Sequence, residues 1–210
     1  TVILIFASLT LVVGAFAALG EKNMRSLLLF QMVSGIGFIL IGIALFTPMG
    51  ISAGIFYMTH HMVVMGALLL TASAIEHTYG SDQLDRVGGL RTRERLVTAA
   101  FVIGALSLVG LPPFSGFVAK YALVLASADA GVVFVALLLI VVSLFVLMAM
   151  MKIWAEMFNG KRHADVELLA AQERLRTRKG LYDYEVIDEE EIAEEAARAV
   201  EHIEPPRGII

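Results

Sequence analysis

The sequence contains no cysteine, which excludes a disulfide framework and any thiolate-ligated metal site. Charge is also scarce. Only 17% of residues are charged and 58% are hydrophobic, whereas soluble domains carry about 25% and roughly 45–50%. With a mean hydropathy of +0.79, the composition excludes an ordinary soluble domain and points to a chain that meets lipid over much of its length. No basic residue precedes the first apolar run and no small-residue cleavage site follows it, so the opening does not read as a signal peptide. No metal-ligand spacing, phosphate-cradling glycine loop or nucleophile–base set occurs. An enzyme acting on a soluble substrate therefore finds no support, and no cofactor or metal is expected. The net charge of −4 arises mostly after residue 160, so it says nothing in favour of nucleic acid as a partner.

What the sequence does have is long apolar runs. A hydrocarbon core about 30 Å thick needs roughly 20 helical residues. Residues 2–19, 26–46, 51–75 and 131–158 meet that requirement, while 96–111 runs into "LPPFSGF" and is followed by a short stretch at 118–128. All should be helical, because lipid offers no partner to unpaired backbone groups and the runs lack the alternation of barrel strands. The expected fold is an all-α integral membrane protein, a polytopic helix bundle over residues 1–158. Gly35, Gly37, Gly42, Gly54, Gly66, Gly104 and Gly110 suit close helix contacts. Pro112 and Pro113 remove two backbone donors, and Gly116 adds freedom nearby. Such a break is either a discontinuous helix of the kind that marks ion sites in transporters or a tight turn between two spans.

The span count is accordingly five or six. With five, the basic loops (Lys22 and Arg25; Arg86, Arg91, Arg93 and Arg95) share one face with the charged tail, and that face is cytosolic under the positive-inside rule. With six, the tail lies opposite. Residues 159–207 read as a charged loop or tail with two short surface helices joined by "LYDYEVI". A start at Thr1 and the closing "PPRGII" read as a piece of a longer membrane protein, with 208–210 opening a further span.

Titratable groups at membrane depth are costly, roughly 2.5–3.5 kcal/mol each on insertion scales, and are functional candidates by default. His60 and His61 lie in the middle of the third run. An imidazole exchanges protons near ambient pH, so one ring suits a proton relay. Adjacent helical positions diverge by about 100°, so the other should face a neighbouring helix. Lys120 follows the break by four residues from Gly116, near polar backbone and not lipid. Lys152 and Glu156 are spaced for a helix pair with Trp154 between them as an interfacial anchor. Arg25 reads as a flanking cation, and Gln31 and Ser34 as weaker polar groups.

Several of these stretches, in this order, resemble one known family. "NMRSLLLFQMVSGIGFILIG" (23–42), "IFYMTHHMVVMGALLL" (55–70), "DQLDRVGGL" (82–90) and "GALSLVGLPPFSGFVAKYALVL" (104–125) are similar to segments of the antiporter-like membrane subunits shared by Mrp-type multisubunit Na⁺/H⁺ antiporters and respiratory complex I. The double histidine, "LPPFSGF" and "MKIWAEMFNG" most resemble the D-type subunits of the Mrp group. The resemblance implies one repeat of an inverted-repeat transporter fold, with six helical segments and a cytosolic tail, in a bacterial or archaeal plasma membrane. It implies a non-enzymatic subunit of a hetero-oligomeric cation/proton antiporter, with protons and Na⁺ or another monovalent cation as its cargo and other membrane subunits as partners. A proton-pumping subunit of complex I or a related hydrogenase is the alternative, as is a scaffold with a degenerate pathway. By matching positions, Lys120 takes the place of the family's lysine or glutamate on the broken helix, His61 that of its histidine, Arg25 that of a basic residue and Lys152 that of a D-type lysine. One position departs. Where the family carries lysine four residues after the histidine, this sequence has Met65.

Overall fold

Local chemistry sets where each apolar run starts and stops. The computed structural model describes residues 2–159, so the expected tail helices and the further span at 208–210 lie outside the described residues. Helix α1 is Val2–Gly20 and α2 is Met24–Ala44. Helix α3, Pro48–Tyr79, begins with Thr47 accepting a hydrogen bond from the Gly50 N–H and with proline at its first position, and it ends at left-handed Gly80. The short α4 (Leu90–Arg93) follows a glycine turn at Gly89, and then come α5 (Arg95–Val109), α6 (Ser115–Asp129) and α7 (Val133–Ile153). Helix α7 passes into a π-helical turn at Trp154–Phe158. Among the described residues the only β-pairing is an isolated bridge between Asn23 and Gln83.

The lengths resolve "LPPFSGF". Helices α5 and α6 have 15 residues each, about 22 Å, and neither alone crosses a core of about 30 Å. They also do not fold back on each other. Both run along the 32-residue α3, which at about 1.5 Å per residue is about 48 Å long. The contacts fall in antiparallel order. Tyr79 donates to Glu94 at the start of α5, Gly104 sits over Leu68, and Ser115 meets His60. Leu123 then reaches Gly42, which abuts Gly54 near the start of α3. The two short helices are therefore successive halves of one interrupted span. Among the described residues four helices are long and apolar enough to cross a membrane singly, and the interrupted pair adds one more passage.

Five passages require the α1–α2 loop, the α3–α5 loop and the end of α7 to share one side, and they do. The Met24 N–H donates to the Asp82 carbonyl and the Leu84 N–H to the Lys22 carbonyl, each at 2.9 Å. Arg25 pairs with Glu76 at 2.8 Å. Lys152 Nζ donates to the carbonyls of Leu19 and Glu21 at 3.0 and 2.7 Å. That last contact replaces the expected Lys152–Glu156 pair. The end of α1 presents carbonyls without helical partners, and an ammonium satisfies that of Leu19 and that of Glu21 just beyond the helix, while adding favourable charge at the negative end of the helix. We expect Lys152→Met to lower the thermal stability of the assembled protein by about 2 kcal/mol, the scale of hydrogen bonds to a charged group. An unchanged melting temperature in detergent would contradict that role.

Side-chain distribution follows the solvent. Leu11, Phe38, Tyr57, Leu68, Phe101 and Leu123 are buried between helices, whereas Val63, Leu70 and Phe134 point outward, as lipid allows. Gly37 lets α1 approach at Leu11, and Gly42 lets α2 approach α3 at Gly54. One of the glycines expected at such contacts does otherwise, since Gly66 has no neighbour within 4 Å, while Gly110 is a helix cap that also abuts the Gly116 backbone of α6.

Candidate functional site at the helix break

The interruption leaves two helix ends at membrane depth. Helix α5 stops because Gly110 takes φ 87°, a left-handed conformation that glycine adopts without strain, with its N–H bonded to the Leu106 carbonyl at 3.1 Å. Pro112 and Pro113, joined by a cis peptide bond, occupy the turn that follows. The Phe114 N–H returns to the Leu111 carbonyl at 2.9 Å, and α6 begins at Ser115.

Lys120 closes this gap from the first turns of α6. Its Nζ donates to the Val109 carbonyl, the last of α5, at 3.0 Å, and lies 5.1 Å from the centroid of the Phe38 ring. The residue is only 7% exposed, so it does not snorkel to the headgroups. A cation at the negative end of α5, over an aromatic face, is held by two attractions that need no counter-carboxylate.

The two histidines of α3 point to different neighbours. His60 turns to α6, where its Nδ1 and Ser115 Oγ are 2.9 Å apart. Its Nε2 is buried, makes no protein hydrogen bond and faces Gly116. His61 turns to α2. Its ring stacks on Tyr57 with centroids 5.5 Å apart, and it lies over Gly35 and the backbone of Met32. Neither of its nitrogens makes a hydrogen bond of good geometry. Gly35 and Gly116 are thus required by space. A side chain at position 35 would overlap the His61 ring, and one at 116 would overlap the Ser107 carbonyl oxygen and His60 Nε2. This is a different role for Gly116 from the freedom of turn expected of it, since the residue is helical.

The structure brings together Lys120, His60, Pro112, Pro113 and Gly116, and the contacts from Lys120 to Phe38, Phe38 to Tyr57 and Tyr57 to His61 link the second ring to them. It does not bring Arg25 or Lys152 to the break. Arg25 is half exposed in its pair with Glu76, and Lys152 sits at the end of α1. Beside Lys152 an open cavity of about 400 Å³ is lined by Lys22, Leu84, Asp85 and Glu156. Met65 is 2% exposed and packs in the apolar core. Of the weaker polar residues, Ser34 donates to the Leu11 carbonyl at 2.9 Å, and Gln31 is buried with its Nε2 unpartnered. Sequence reasoning missed Ser115, Phe38 and Val109. Ser115 carried a usable signal, a hydroxyl opening a helix two residues after a double proline. The other two are recognisable only once α2 and α5 are in place.

This constellation can be set against known proteins. Residues 1–149 match the family model described as NADH:quinone oxidoreductase/Mrp antiporter, transmembrane. The chain belongs to this family. Among its curated members, the D-type subunit of the Na⁺/H⁺ antiporter of Alkalihalophilus pseudofirmus is 35% identical over 162 residues, covering 77% of this chain and 33% of that protein. Its counterpart in Bacillus subtilis is 32% identical over 175 residues, covering 83% and 34%. Among solved structures of the family, the Mrp complex from a Dietzia species contains a chain 48% identical with a TM-score of 0.75, covering 77% of this chain and 30% of that one. Respiratory complex I from Thermus thermophilus contains one 28% identical with a TM-score of 0.65, covering 72% and 33%. The chain spans about a third of the length of these relatives. The family supports the all-helical membrane architecture, and the matched range includes both histidines and the double proline.

Proposed function

We propose that the chain is part of a membrane subunit of a cation/proton antiporter complex, and that it carries protons through Lys120 and the two histidines in exchange for Na⁺ or another monovalent cation. The observation that carries this reading is Lys120, buried on the free carbonyl end of a broken helix with the His60–Ser115 pair at the adjoining helix start. A lysine held by one carbonyl and one ring face gives up its proton when a second cation approaches, because like charges repel strongly where the dielectric is low. The imidazoles can accept and release that proton. The resemblance to relatives named as D-type subunits of Na⁺/H⁺ antiporters supports the same cargo, and a chain of the Mrp complex supports other membrane subunits as partners. Arg25 and Lys152 lie on the side of the basic loops, which the positive-inside rule makes cytosolic, and they serve the cytosolic end of the route in a bacterial or archaeal plasma membrane. The route bypasses Met65.

The test uses the full-length protein in its assembled complex, in everted vesicles carrying an outwardly visible pH probe. Addition of Na⁺ should discharge a preformed proton gradient, and vesicles lacking the subunit should not respond. A gradient indifferent to every monovalent cation in the presence of the complex would overturn the reading. The second reading, a subunit of a quinone-reducing complex, is favoured by a 33% identical match to the N-type subunit of NADH-quinone oxidoreductase from Heliobacterium modesticaldum. Co-purification with quinone-reducing subunits would select it.

A further inference from the structure

The resemblance places the family's histidine at His61, yet the ring at the break is the one before it. His61 stacks on Tyr57 over α2, whereas His60 stands between the start of α6 and Gly116. Its Nδ1 is committed to Ser115 Oγ at 2.9 Å, so only Nε2 is left to exchange a proton. Which imidazole nitrogen carries hydrogen is set by the bond the other one makes. We propose that Ser115 is a positioning residue of the proton relay, whose hydroxyl accepts from His60 Nδ1–H and so keeps Nε2 bare toward Gly116 and Lys120. This rests on the antiporter reading above and assigns the step across the helix break to His60.

The step balances simply. Lys120 loses one proton from its ammonium and becomes an amine. His60 Nε2 gains that proton through its lone pair and becomes an imidazolium. The Nδ1–H bond to Ser115 persists throughout and becomes charge-assisted, about twice as strong as a neutral one. Gly116 leaves the transfer space open because it brings no side chain between Ser107 and the ring. The groups facing His60 are few. Lys120 comes from α6, and His61 and Tyr57 from its own helix, the latter with centroids 6.0 Å away. Helices α2 and α5 add no charged side chain at this level, since their arginines, Arg25 and Arg95, lie at the helix starts.

The experiment combines transport with ¹⁵N-histidine NMR on the full complex. Ser115→Ala should reduce cation-driven proton exchange about tenfold, the lower end of what is lost when the group orienting a functional histidine is removed. It should also shift the His60 nitrogen signals toward the tautomer protonated at Nε2. Ser115→Thr, which keeps the hydroxyl, should restore both. If Ser115→Ala does not assemble, Ser115→Cys keeps the volume with a poor acceptor and should show the same loss. Transport and nitrogen signals unchanged in these variants, while Lys120→Ala is inactive, would overturn the role of Ser115 and leave the antiporter reading standing. Full activity of Lys120→Ala would overturn both. A loss in Ser115→Thr equal to that in Ser115→Ala would show a packing effect and likewise overturn the proposal.

Discussion

Replacing Lys120 with alanine is expected to reduce cation-coupled proton transport by about 100-fold or more, the scale at which a positioned proton-transfer group contributes. The complex should still assemble. The ammonium makes one hydrogen bond, to the Val109 carbonyl, and one contact with the Phe38 ring. Both partners belong to helices that Leu123, Ala119 and Ala105 pack independently, so the span does not depend on the lysine for its shape. What is lost is the only charged side chain between the ends of the interrupted span, from Leu96 through Ala128. Neither histidine can substitute, because His60 is committed to Ser115 on one side and His61 faces α2. Lys120→Arg should also fail. Guanidinium keeps the charge but does not release its proton at physiological pH. Measurement of cation-induced gradient discharge in everted vesicles, normalised to assembled complex on native gels, checks both variants. Transport within twofold of the unsubstituted protein would remove Lys120 from the route.

Gly116→Leu should be the most damaging substitution for assembly. Even the first atom of a side chain at this position meets the Ser107 carbonyl oxygen, which is backbone, and lies 2.9 Å from His60 Nε2. The ring could turn away, but the carbonyl cannot move without shifting the end of α5. Overpacking a tight site costs typically 1–3 kcal/mol, and a branched side chain here should reach about 3 kcal/mol or more. It also separates Lys120 from Val109 and Ser115 from His60, so the energetic and functional losses have one cause. The expected results are a sharply reduced yield of assembled complex and no transport from what remains. Gly66→Leu serves as the comparison, because nothing lies within 4 Å of that glycine, and it should assemble normally. Equal yields for the two would contradict the packing described here.

Much of this was legible in the order of the residues. Runs of apolar side chains have to become helices in lipid because the backbone has no other way to pair its polar groups, although the third run, read as 51–75, extends to Pro48–Tyr79 between the Thr47 and Gly80 caps. The double proline announced a break, and the scarcity of charge singled out Lys120. Two adjacent histidines on a helix had to diverge, because successive positions differ by about 100°. What one-dimensional reasoning left open was whether α5 and α6 form a hairpin or one interrupted span. That depends on α3 being long enough to hold both halves along its length, which is a property of packing. The partner of Lys152 is another such case, since a carbonyl of Leu19 lies 133 positions away in sequence. Sequence alone determined that helices cross a membrane and that titratable groups lie within them. Only the tertiary structure decided which ring meets which helix end, because the carbonyl of Val109, the hydroxyl of Ser115 and the ring of His60 become a site only when three separate helices are brought to the same depth.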